Sequence, residues 1–75
     1  MIDRDIAAKT AKMTIVGKGT NQTKIARRLG IKRIFLNAFL NRRIDLLPQE
    51  IERLLKELGI LESVIRLSNQ KAVAE

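Results

Sequence analysis

The 75-residue sequence predicts an all-α fold of five short helices. Two observations carry that expectation. Apolar residues recur at helical rather than alternating spacing along most of the chain. The segments between them hold Gly17, Gly19, Gly30, Pro48 and Gly59, residues that stop or start helices.

The elements follow in order. Asp3 or Asp5 is placed to cap a first helix running to about Val16, with Ile2, Ile6, Thr10, Met13 and Val16 roughly on one face; Met13 to Val16 also reads as a short strand. Gly17-Lys18-Gly19-Thr20 is a loop, and it lacks the spacing and the preceding strand of a nucleotide-binding P-loop. Asn21 is a good N-cap for a helix from Gln22 to Leu29, in which Ile25, Ala26 and Leu29 oppose Lys24, Arg27 and Arg28. Gly30 suits the left-handed residue that ends it, with Ile31 packing back over the turn. A third helix is expected from about Lys32 to Asn41, with Leu36 and Phe39 inward. Pro48 opens a fourth, whose Gln49, Glu50 and Glu52 suit the positive end of the helix dipole and which Gly59 ends. Ile60 to Leu67 reads as a fifth helix. The domain is thus expected to span residues 1 to 67, with 68 to 75 a flexible tail.

So small a domain has a thin core, and with neither cysteine nor histidine it has no disulfide and none of the usual zinc-finger ligand sets to brace it. A partner subunit is therefore expected, and no cofactor or metal. Met1 to Ile6 lacks the pattern of a secretory signal, and no run approaches the ~18 apolar residues of a membrane span. The expected setting is the cytoplasm, at the nucleoid, with no membrane partner.

Residues 1–45 carry eleven Lys and Arg against three acids, whereas residues 46–75 carry four against five. From Lys18 to Arg43 there are eight basic side chains and no acidic one. Such a one-signed field suits nucleic acid, an acidic membrane surface or an acidic protein partner.

The window 22–41, QTKIARRLGIKRIFLNAFLN, holds the most specific pattern. Ala26 is small where two helices approach, Gly30 sits at the turn, and Ile25, Leu29, Ile31, Leu36 and Phe39 form an apolar set that would hold the pair at a steep angle. With Gln22 opening it and Asn41 closing it, this segment resembles the helix-turn-helix of the phage-lambda-repressor-like family of Cro-type and lambda-repressor-type regulators. The likeness in helix layout extends over about residues 3 to 67. The resemblance implies a double-stranded DNA partner, base contacts from Arg33, Ile34 and Asn37, and phosphate contacts from Gln22, Lys32 and Asn41. Arginine matches guanine O6 and N7, asparagine matches adenine N6 and N7, and isoleucine suits a thymine methyl. Lys24, Arg27, Arg28, Arg42 and Arg43 would add phosphate neutralisation. Phe35 and Leu40 make the third helix more apolar than a typical reading helix, and Arg42-Arg43 stand where many relatives have glycine.

Ile60, Leu61, Val64 and Ile65 exceed what one short helix needs, and five-helix relatives pair through this region; a homodimer interface is expected there. The reading is a transcriptional regulator, a repressor of phage or mobile-element type on a palindromic operator. The rival is a protein-interaction module, an antirepressor or adaptor that uses Phe35, Leu40 and the basic face. RNA is disfavoured by an aromatic set limited to Phe35 and Phe39. No enzyme is expected: Ser63 and Ser68 have no histidine or cysteine to work with, and Glu50, Glu52, Glu57 and Glu62 read as a solvated helix face.

Overall fold

A computed structural model describes residues 2–74 and shows five α-helices, with no strand among the described residues. They are α1 (Arg4–Gly17), α2 (Gln22–Leu29), α3 (Arg33–Leu40), α4 (Pro48–Leu58) and α5 (Leu61–Ala74). The all-α expectation holds, and Met13 to Val16 is helical.

Local chemistry sets the boundaries. The Asp3 carboxylate accepts from the Ile6 N–H at 3.0 Å and caps α1. Asn21 Oδ1 accepts from the Lys24 N–H at 2.9 Å and caps α2. α4 opens on Pro48, and Glu50 Oε1 reaches back to the Leu47 N–H at 3.1 Å. Three helices end in one motif, in which a left-handed residue turns the chain so that two orphan carbonyls find donors. In α2 the residue is Gly30 (φ 70°), with Ile31 N–H donating to Ala26 O at 3.1 Å. In α4 it is Gly59 (φ 72°), with Ile60 N–H donating to Leu55 O at 2.9 Å. In α3 it is Arg42 (φ 58°), with Arg43 N–H donating to Ala38 O at 2.8 Å.

α1 packs against α3, α4 and α5, α4 packs against α1, α2 and α5, and α2 also packs on α3. The face α1 buries is Ala7, Ala8, Ala11 and Ile15, which corrects the expected stripe in part: its Ile2 and Ile6 pack half-buried against the core, but Met13 and Val16 do not. Three neighbouring helices approach most closely where side chains are smallest, so the alanines turn inward. Met13 (66% exposed) and Val16 (75% exposed) point to solvent. Leu36, Phe39, Leu54, Leu55, Leu58 and Val64 are the largest fully buried side chains of the interior. Leu40 is also buried, so the apolar surface expected of Phe35 and Leu40 comes instead from Phe35 and Ile34.

The segment expected to be a flexible tail from residue 68 continues α5, which runs to Ala74. Gln, Lys and Ala are good helix formers, and Ser68 is tied down. Its buried hydroxyl donates to Val64 O at 2.7 Å and accepts from the Asp3 N–H at 2.8 Å. Lys71 Nζ adds an ion pair to Asp3 Oδ2 at 3.0 Å. Glu75 lies outside the described residues. Among the described residues no helix is long and apolar enough to cross a membrane.

Candidate functional site

α2 and α3 are joined by the three residues Gly30, Ile31 and Lys32, a connection that the left-handed glycine makes compact. Helical spacing turns Leu36, Phe39 and Leu40 of α3 into the core and leaves Ile34, Asn37 and Ala38 on the opposite side. Arg33 and Phe35 flank that strip. Ile34 is 71% exposed and Phe35 48%. Arg33, Ile34 and Asn37 line one shallow hollow, and Arg33 and Asn37 line another with Thr20, Asn21, Gln22 and Thr23. Gln22 is thus beside Arg33 and Asn37, two of the three residues expected to read bases. Ala38 belongs to the same strip and was missed as a site residue; its position four after Ile34 was the available signal.

Side-chain amides connect these elements. Asn37 Nδ2 donates to Gln22 Oε1 at 3.0 Å, bridging α3 to the start of α2. Asn41 Nδ2 donates to Asn37 O at 3.0 Å, and Lys12 Nζ of α1 donates to Asn41 Oδ1 at 2.9 Å.

The eight cations between Lys18 and Arg43 divide into two groups. Three have structural partners. Lys18 Nζ donates to Leu58 O at 2.8 Å, satisfying a carbonyl at the end of α4. Arg28 pairs with Glu57 at 2.7 Å. Arg42 pairs with Asp5 at 2.6 Å and with Asp45 at 2.9 Å, and its guanidinium lies 5.7 Å from the Phe39 ring centre. Arg4 also pairs with Asp45, at 3.0 Å. Hydrogen bonds from Arg42, reinforced by Arg4, hold the Asp45 carboxyl below its ordinary pKa. Arg42, expected on phosphate, is therefore committed to joining the α3 exit to the start of α1. The remaining five, Lys24, Arg27, Lys32, Arg33 and Arg43, are exposed and have no ion pair or side-chain hydrogen bond among the described residues.

Helix ends show the same division. α1, α4 and α5 carry an acid in the first turn, namely Asp5, Glu50 and Glu62, as the helix dipole favours. α2 and α3 carry none, and have Lys24 and Arg33 there instead. Lys32, at the N-cap of α3, provides no side-chain cap. Like-signed charge at a positive helix end costs roughly 0.3–1 kcal/mol, which a nearby anion would relieve.

The residues expected at a dimer interface separate as well. Val64 is fully buried within the chain, which removes it from any interface. Ile60 and Leu61 are half-buried against the core. Leu61 and Ile65 line an open groove with Ile2, Ile51 and Pro48. Among the described residues no group of three or more His, Cys, Asp or Glu is placed to hold a metal ion. Ser68, one of the two candidate nucleophiles, is buried and hydrogen-bonded.

No family model, curated protein or solved structure matches the chain.

Proposed function

We propose that the chain is a sequence-specific double-stranded-DNA-binding regulator, in which α2 and α3 act as a helix-turn-helix of lambda-repressor-like type. One observation carries this reading: α2 and α3 alone among the five helices lack a first-turn acid, and cations stand there instead. A chain that keeps acids out of these two helix starts and sets cations there is suited to a polyanion lying across both.

In this reading α3 enters the major groove with Arg33 on a guanine, Ile34 and Ala38 against thymine methyls, and Asn37 on an adenine. Lys24, Arg27, Lys32 and Arg43 neutralise phosphates, while Gln22 and Asn41 approach the backbone. Arg28 and Arg42 contribute less than their charge suggests, because each has a carboxylate partner. The chain acts as a homodimeric repressor on a palindromic operator. The rival reading, a protein-interaction module, loses the Leu40 surface and keeps Ile34 and Phe35.

The test is binding to random duplex DNA across a salt series. Each phosphate contact contributes a slope of about −0.9 in log affinity against log salt, so four free cations give about −4 per copy of the chain. Arg27→Ala should reduce the slope by about one, whereas Arg42→Ala should leave it unchanged. Absence of binding at about 50 mM salt would overturn the proposal.

A further inference from the structure

A line of side-chain hydrogen bonds runs from α1 through α3 to α2. Lys12 Nζ donates to Asn41 Oδ1 at 2.9 Å. Asn41 Nδ2 donates to Asn37 O at 3.0 Å and approaches Asn37 Oδ1 at 3.3 Å. Asn37 Nδ2 then donates to Gln22 Oε1 at 3.0 Å.

A carboxamide turned over by half a rotation exchanges donor for acceptor, so its direction is set by its partners. The partners of Asn41 leave no choice. An ammonium group can only donate and a peptide carbonyl can only accept. Asn41 lies between one of each, and a single orientation satisfies both. Its nitrogen then faces Asn37, so Asn37 presents oxygen to Asn41 and nitrogen to Gln22. Gln22 in turn gives its oxygen to Asn37, which leaves its NH₂ without a partner in the line. Gln22 lines the hollow that holds Thr20, Thr23 and Arg33.

We infer that Lys12, which lies outside the α2–α3 pair, is a positioning residue that acts with the Asn37 carbonyl to fix the direction of the Asn41, Asn37 and Gln22 amides. The inference rests on the DNA-binding reading for its consequence. An amide held in one direction offers a base edge its N–H and its oxygen in a fixed order. Adenine presents an acceptor at N7 beside a donor at N6, so a fixed order discriminates and a freely turning amide discriminates less. Gln22 meanwhile offers a donor rather than an acceptor to any phosphate alongside.

The competing account of Lys12 is a plain phosphate contact, and the test separates the two. Side-chain NH₂ signals of Asn37, Asn41 and Gln22 are followed by NMR in the DNA-free protein for wild type, Lys12→Met and Lys12→Arg. Base preferences of the same three proteins are measured by selection from random duplexes. Lys12→Met should shift all three amides while the backbone signals of α2 and α3 stay in place. It should also relax about tenfold discrimination at one base position, and Lys12→Arg should restore both. Unchanged Asn37 and Gln22 signals would overturn the inference. So would a uniform loss of affinity with preferences intact and a salt slope smaller by about one, the signature of a phosphate contact. If the wild type bound no duplex, the DNA reading and the specificity consequence would fall together, while the amide spectra would still decide whether Lys12 sets the direction.

Discussion

Arg42 occupies the left-handed position that glycine fills at the ends of α2 and α4. A side chain there costs about 1 kcal/mol or more. Its compensation is visible: ion pairs to Asp5 and Asp45, and a cation over Phe39. Exposed pairs of this kind contribute roughly 0.2–1 kcal/mol each, and the ring contact about 0.5–1 kcal/mol. Removal of strain and side chain together should nearly cancel, so Arg42→Gly is expected within about 1 kcal/mol of wild type. Arg42→Ala keeps the strain and loses the contacts, and should cost about 1–2 kcal/mol in urea denaturation. Equal stability of the two variants would disprove this account. The dependence on pH has a definite sign. Asp45 has a lowered pKa, so its contribution is complete above the ordinary aspartate value of 3.8 and is lost as pH falls through the lowered one. The gap between wild type and Arg42→Ala should therefore persist from neutrality to about pH 4 and narrow below it.

Among the elements, those bounded by local chemistry were the legible ones. Asn21, Gly30, Pro48 and Gly59 act on their own neighbours, and they marked the limits of α2 and α4. α1 and α5 depend on contacts that no local pattern contains. A periodicity argument gives weight to large apolar residues and almost none to alanine, so Met13 and Val16 outweighed Ala7, Ala8 and Ala11, the residues the core takes. Ser68 and Asp3 are joined across 65 positions, and nothing near Ser68 in sequence announces that bond. Ser68→Ala removes the acceptor and leaves the part-buried Asp3 N–H unsatisfied. It should cost about 1–3 kcal/mol and raise amide exchange rates after residue 68. Wild-type exchange in that segment would show that the tie does not hold α5.

For the whole molecule, counting charges exposed the basic half of the sequence but not which cations are free. Lys18, Arg28 and Arg42 have partners 40, 29 and 37 positions away in sequence, so folding alone divides the eight. Likewise Val64 matched its neighbours in hydrophobicity, and only the packing of α5 on α1 and α4 took it inside. The proposed dimer is left with Leu61, Ile65 and the groove they share with Ile2. Two copies on a palindrome would place their reading helices about 34 Å apart, one turn of the duplex. Ile65→Glu puts a charge in that groove and should convert a dimer to a monomer in sedimentation velocity, with the helical circular-dichroism signal retained. A variant that still sediments as a dimer would move the interface to another surface. The division of α3 into a buried side of Leu36, Phe39 and Leu40 and an outward side of Ile34 and Ala38 has a consequence for how such a chain evolves. Its outward side chains can be exchanged without disturbing the interior, so under the proposed function recognition could be rewritten while the shape is inherited. Asn37 is the exception, because a replacement there must also suit Gln22 and Asn41.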